Sequence, residues 1–289
     1  MLALRPDINF QIPCAMIQHL PFAEQVETVK SLGFQGLTLH PYHIGVYNMQ
    51  GTTLSDMKAI VDDAGLKISR IDPLCTWVPT WQAEKFSHEF NLIHAMEVSE
   101  FLELSAFFEC RYVSLNAMWT KGRYTEDEIV GFFRTLCERA AKYNLTCDIE
   151  AIPMWGIPHI DDALSIIRKS EMANAGLVFD TTHFVRGGSS LETLQNIPAE
   201  LIHLVQLCDG EIPSRISLEE ECFDRMWPGT GDFNIGDMVS VLDEMGALRG
   251  VGPEVFSPAY VKNGTPGSWI AEQTEKSLRH YPELLASQN

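Results

Sequence analysis

Eight times along the chain, a short apolar run rich in branched residues, with Gly or Pro nearby, gives way to a longer stretch whose apolar residues recur at helical spacing. Strands separated by helices require a parallel sheet with crossover connections, and eight rounds in one chain predict closure into a barrel. The expected strands are Phe10–Met16, Gly36–His40, Lys67–Asp72, Tyr112–Asn116, Thr146–Glu150, Gly176–Asp180, Ile202–Leu207 and Gly252–Phe256. A doubly wound open sheet is the alternative, but its usual G-x-G-x-x-G turn does not follow Met16. With 289 residues and no linker, the chain reads as one (β/α)8 TIM barrel over 1–289, close to the ~250 residues such a fold commonly takes.

Several of the intervening helices announce their ends. Thr125 and Glu128 form a capping box, after which Ile129, Phe132, Phe133, Leu136, Cys137, Ala140 and Ala141 fall on one face. Thr53 with Asp56 starts a second helix, lined by Leu54, Met57, Val61 and Ala64 and stopped by Gly65; Ile235, Met238, Val239, Leu242 and Met245 make a third stripe, closed by Gly246.

Charge narrows the range of partners. Acidic residues outnumber basic ones 39 to 21, and the resulting charge of −18 repels nucleic-acid phosphates and anionic membranes, so neither is an expected partner. The seven cysteines are scattered and odd in number, with no C-x-x-C pair, which points to reduced, buried thiols. Arg5, Pro6, Asp7 and Pro13 interrupt the first twenty residues, unlike a signal peptide, and no apolar run reaches the ~18 residues of a membrane span. A cytoplasmic location is the expectation.

In an eightfold barrel the active site lies at the carboxyl ends of the strands. Four oxygen-bearing side chains stand there on successive expected strands: Glu150 ends TCDIE, Asp180 ends GLVFD, Gln206 lies in LIHLVQLCD, and Glu254 lies in VGPEVFS. A single strand-end carboxylate also serves to cap a helix or pair with a rim arginine, and a glutamine there is ordinarily just a hydrogen-bonding side chain. Four on adjacent strands are harder to explain that way. Three carboxylates in one mouth repel each other unless a cation neutralises them, and an all-oxygen donor set favours one Mn2+, Mg2+ or Co2+ ion over structural zinc.

The segments GLVFDTTHFVRGG, LIHLVQLCDG, WPGTGDFN and GPEVFS, in that order and spacing, resemble the xylose-isomerase-like barrel superfamily of sugar isomerases and epimerases. The resemblance runs from about Phe10 to the C-terminus and is strongest from Thr146 onward. It implies a metal held by Glu150, Asp180, Gln206 and Glu254 and bound by two adjacent oxygens of a hydroxy-ketone substrate. Members more often carry histidine where Gln206 stands; the hydroxypyruvate-isomerase-like branch has glutamine. His183 matches a D-x-x-H pattern whose histidine touches a substrate oxygen or the metal's outer surroundings. One relative of this fold repairs DNA, but the basic stripe such an enzyme needs is missing here.

Around that mouth, Trp155 and His40 are candidates to line the pocket, and Arg225 to hold a substrate oxygen, although a surface position is the ordinary place for an arginine. The W-P-G-T-G stretch Trp227–Gly231 lacks the G-K-[ST] ending of a phosphate cradle and reads as a substrate loop. His203, three residues from Gln206 on one strand, is expected on the opposite face by alternation.

The expected chemistry is an enediolate reaction on a small sugar-like ketone, with Glu150 and Glu254 exchanging a proton on opposite sides of one carbon. Epimerisation or aldose–ketose isomerisation follows from where the proton returns. The same intermediate can expel a β-hydroxyl, which makes a dehydratase of inosose- or dehydroshikimate-like compounds the competing reading, and R-M-W-P-G-T-G from Arg225 to Gly231 resembles that lyase branch. A non-catalytic sugar-binding barrel is the third reading, opposed by the presence of both glutamates. No lysine-rich phosphate pocket stands out, which favours an unphosphorylated substrate. Relatives are often dimers or tetramers, so a homo-oligomer is compatible with the sequence, but nothing in it fixes an interface.

Overall fold

The computed structural model describes residues 2–286 and contains a closed parallel barrel in which each strand pairs with the next and the last with the first. The strands are β1 (Asn9–Ile12), β2 (Gly36–Leu39), β3 (Lys67–Leu74), β4 (Tyr112–Asn116), β5 (Thr146–Glu150), β6 (Ala175–Asp180), β7 (Ile202–Leu207) and β8 (Gly250–Pro253). Closure is made by Asn9 opposite Gly250 and Phe10 opposite Val251. β4, β5 and β7 coincide with the runs expected from sequence.

β6 begins one residue early and β3 runs on through Pro73 to Leu74, while two larger differences fall where a proline ends the strand. β1 stops at Ile12, because Pro13 has no N–H to give the sheet, and Cys14–Met16 forms a turn of 3-10 helix in place of the expected strand end. β8 begins and ends earlier than expected, at Pro253, so Glu254 lies just beyond it, held by its N–H donating to the Leu207 carbonyl at 2.9 Å.

Both capping boxes form as read. Thr125 and Glu128 exchange side-chain and backbone hydrogen bonds at the start of helix Glu126–Ala141, and Thr53 and Asp56 do so before helix Leu54–Asp63; each such cap is worth about 1 kcal/mol. Ile129, Phe133, Leu136, Cys137 and Ala140 are buried as the stripe predicts, whereas Phe132 is half-buried against Tyr124 and Ala141 faces solvent at the frayed end.

One contiguous apolar core joins barrel and helices, and a small second cluster of Cys75, Ala83, Met118, Ile152 and Trp155 lies over the carboxyl ends of the middle strands. All seven cysteines are free and buried. Among the described residues, no helix is long and apolar enough to cross a membrane.

Candidate active site

A cavity of about 360 Å3 opens at the carboxyl ends of the strands. Glu150, His183, Arg225 and Glu254 line it on the β5–β8 side, His40 and His94 on the β2–β3 side, and Trp155 and Phe90 contribute aromatic wall. Of the residues that end strands, Asn116 and Glu150 line this mouth.

Arg225 is the centre of the charged group. Its Nη1 donates to Asp180 Oδ2 at 2.6 Å and to Glu254 Oε2 at 2.7 Å, its Nε to the Cys222 carbonyl at 3.2 Å, and its Nη2 lies 3.1 Å from His183 Nε2. The Phe256 ring covers the guanidinium at 4.8 Å. The side chain is 1% exposed, which excludes the ordinary surface position weighed for it against a substrate contact. Its hydrogen bonds go to protein groups, so its contact with a ligand is through the cavity wall and not through a free donor.

Asp180 caps the helix Thr181–Arg186 that carries His183, accepting the His183 N–H at 2.8 Å. Burial alone would raise the Asp180 pKa, but the adjoining Arg225 guanidinium, His183 and that N–H outweigh it and hold the carboxyl below its ordinary range. Glu150 and Glu254 go the other way. Burial pushes each well above the ordinary glutamate value, and the neighbouring carboxylates add to the rise. The one guanidinium, bonded to two of the three acids, satisfies Asp180 first, because Asp180 also has the helix N–H. His183 is pushed down to about 4, chiefly by burial, and is a neutral imidazole near neutral pH.

If all are ionised, Glu150, Asp180 and Glu254 leave two negative charges beyond the Arg225 guanidinium, and Asp72 adds a further carboxylate to the same cavity, an excess that a divalent ion would offset. The donors suit such an ion. One ligand atom each from Glu150, Asp180 and His183 lies within 4.8 Å of the others. Gln206 donates through Nε2 to Glu254 Oε1, while its buried Oε1 has no partner among the described residues. An orphaned buried carbonyl oxygen beside excess negative charge is what an absent cation leaves behind. Of the four residues expected at the metal, Glu150 and Asp180 fall in one ligand cluster with His183, whereas Glu254 joins Asp180 through Arg225 and hydrogen-bonds to Gln206.

Trp155 and His40 both line the cavity as expected; His40 also caps the helix Pro41–Met49 by accepting the Tyr42 N–H. Two expectations fail. None of Trp227–Gly231 lines the cavity: the loop wraps the buried Asp209 carboxylate, which accepts the N–H groups of Gly229, Gly231 and Phe233 at 2.9–3.0 Å. A Cβ on Gly231 would strike Asp209, so glycine here answers to that carboxylate and not to a substrate. His203, in turn, does not follow simple alternation. Leu177 pairs with Ile202 and Val178 with Leu204, leaving His203 at an irregularity, and its Nδ1 reaches Asp148 Oδ1 at 2.7 Å. Gly176 makes room for that reach, since any side chain there would collide with both partners.

The sequence reading missed Asp72, Asn116, Phe90 and His94, all lining the cavity. Asp72 and Asn116 stood at the ends of expected strands and could have been found by the rule that found Glu150. With its amide nitrogen toward Glu150, Asn116 donates to Oε2 at 3.0 Å. Phe90 and His94 belong to the excursion after β3 and gave no local signal.

Comparisons with known proteins place these features in context. The model of the xylose isomerase-like TIM barrel family matches residues 26–284. An inosose isomerase of Bacillus velezensis is 28% identical over 200 residues, 66% of this chain and 68% of that protein. A 3-dehydroshikimate dehydratase of Pseudomonas aeruginosa is 22% identical over 239 residues, which take in 82% of this chain but only 36% of the relative. Among solved structures, the IOLI protein with a bound zinc atom superposes with a TM-score of 0.80 at 18% identity, covering 97% of this chain and 100% of that one, a likeness of fold.

Proposed function

Because the chain belongs to the xylose isomerase-like TIM barrel family, we propose that it is a divalent-metal-dependent isomerase or epimerase of an inosose-like or other polyhydroxylated ketone. The observation that carries the reading is the pair of cavity-lining glutamates, Glu150 and Glu254, set in a cluster that is short of positive charge.

Glu150, Asp180, Gln206 and Glu254, with His183 beside them, are the residues that would hold the ion. A divalent ion there would supply Lewis-acid polarisation of the substrate carbonyl and its neighbouring hydroxyl, acidifying the proton on the hydroxyl-bearing carbon. Mn2+, Mg2+ and Co2+ suit the oxygen-rich donors, and the zinc of the solved neighbour adds Zn2+ to those worth testing. Glu150 and Glu254 are the two glutamates on the cavity wall, Glu254 steadied by Gln206 and Arg225 and Glu150 by Asn116. One takes the carbon-bound proton, and the other delivers a proton to the opposite face or to the adjoining carbon. Burial and the neighbouring carboxylates raise both carboxyl pKa values in the metal-free cluster, and a bound cation would bring them down. Arg225 fixes the Asp180 and Glu254 carboxylates relative to each other.

The second reading, dehydration of an inosose or of dehydroshikimate, has the Pseudomonas relative in its favour. Solvent-deuterium incorporation into a panel of ketoses, inososes and dehydroshikimate, followed by NMR with and without Mn2+, tests both. Metal-dependent exchange that drops at least ~1000-fold in Glu254→Gln is expected. Unchanged ultraviolet absorbance accompanies isomerisation, whereas a new chromophore, an enone from an inosose or an aromatic catechol acid from dehydroshikimate, identifies the lyase. Absence of exchange on every compound rejects both.

A further inference from the structure

The proton transfer proposed above makes no use of the β2–β3 side of the cavity, which is polar in a particular way. His40 and His94 both line it, their rings 5.0 Å apart and nearly perpendicular at 80°. His40 Nδ1 accepts the Tyr42 N–H at 3.2 Å, so in the neutral ring the hydrogen sits on Nε2. His94 Nδ1 lies 2.7 Å from the Phe90 carbonyl, which can only accept, so Nδ1 carries the hydrogen and Nε2 presents a lone pair. Neither Nε2 has a protein partner among the described residues. Burial lowers both imidazole pKa values, most strongly for His40, and keeps the rings neutral.

Two adjacent rings therefore offer one donor and one acceptor, with the tautomer of each set by the backbone. A hydroxyl group satisfies both at once, accepting from His40 and donating to His94. A carboxylate or ionised phosphate only accepts, and would turn an oxygen toward the His94 lone pair. No free cation offsets this: among the described residues lining the cavity, Arg225 is the only lysine or arginine, and it is committed to Asp180 and Glu254. Burying an anion without a cation is heavily disfavoured.

We propose that His40 and His94 form a hydroxyl-reading subsite that selects an uncharged polyol ketone over analogues bearing a carboxylate or a phosphate. This rests on the proposed function, because it names the substrate class of the same cavity. It also separates the two relatives' substrates, since an inosose is uncharged and dehydroshikimate carries a carboxylate.

The test is calorimetric binding to the Mn2+-loaded wild type of an inosose, 3-dehydroshikimate, a ketohexose and that ketohexose's 6-phosphate. Each uncharged compound is expected to bind at least ~10-fold tighter than the charged ones, the worth of about one net hydrogen bond. His94→Leu loses about that factor on the uncharged ligands alone, and His94→Gln, which keeps an acceptor, recovers binding to within ~3-fold. Circular dichroism and melting of each variant report that it is folded. Equal or tighter binding of the charged compounds, an equal loss on all four in His94→Leu, or binding of none overturns the subsite. Selective binding of the uncharged ligands without metal-dependent exchange would instead reject the proposed reaction and leave the subsite standing.

Discussion

Asp148 and Glu150 are two residues apart on β5 and both are buried, yet they belong to charged clusters of opposite character. Asp148 sits one layer below the mouth with both oxygens engaged: Oδ2 receives Arg70 Nη2 at 3.1 Å and Oδ1 lies 2.7 Å from His203 Nδ1. Arg70 also donates to Ser114 Oγ at 2.9 Å and lies over the Tyr112 ring at 5.4 Å. None of Arg70, Ser114, Asp148 and His203 lines the cavity. At the mouth, by contrast, Asp180 and Glu254 share one arginine, Glu150 has none bonded to it, and an acceptor on Gln206 is left over. Buried charge is thus no mark of function in itself. What distinguishes the upper cluster is negative charge in excess of its partners, together with access to a cavity.

Breaking each cluster separates them most sharply. Asp148→Asn strands the Arg70 charge and is expected to cost about 3–5 kcal/mol of stability by denaturant unfolding, with activity per folded molecule retained. Glu150→Gln removes a repelled carboxyl and should leave stability within about 1 kcal/mol while abolishing deuterium exchange. Equal destabilisation by the two would show that the mouth, too, is a structural ion pair.

A somewhat smaller effect reads the charge deficit directly. Mn2+ at 100 times its dissociation constant should stabilise the protein by about 3 kcal/mol, seen as a rise in melting temperature that a chelator reverses. Gln206→Leu, lacking the orphaned oxygen, should need more metal for the same rise. An unchanged metal titration in that variant would remove Gln206 from the donor set.

The smallest effect is on pH dependence. Glu150 has a folded-state pKa above its ordinary 4.5, so the metal-free native state holds a proton that the unfolded chain has released. Its contribution to stability is present below pH 4.5 and is lost as pH rises through the raised value. Wild type and Glu150→Gln should therefore match near pH 4 and diverge toward pH 8, with wild type the less stable. Saturating metal should close the gap. A constant difference across pH would mean that Glu150 is already ionised and compensated.

Much of this molecule can be read from local pattern. The eight-round alternation and both capping boxes depend on neighbours three or four residues apart, and they appear where the spacing put them. Glu150, Asp180, Gln206 and Glu254 were legible because a parallel barrel sends every strand end to one mouth, so strand assignment alone brings distant residues together. The same rule covers Asp72 and Asn116. Arg225 was legible as a residue but not as a role, since its burial depends on Asp180 and Glu254 standing 45 and 29 positions away. Trp227–Gly231 misled because its glycines answer to Asp209, another contact invisible in the local string.

What the sequence determined by itself was periodicity and its consequence: strand, helix, barrel, and the ring of oxygen donors at one end. Only the tertiary structure decided which charges are balanced and which are not, which ring nitrogen of His40 and His94 bears the proton, and how an irregularity in β7 turns His203 toward Asp148. The physical reason is range. Periodicity is fixed by backbone geometry over a few residues, whereas charge balance and hydrogen-bond sense are set by groups brought within about 3 Å from distant parts of the chain.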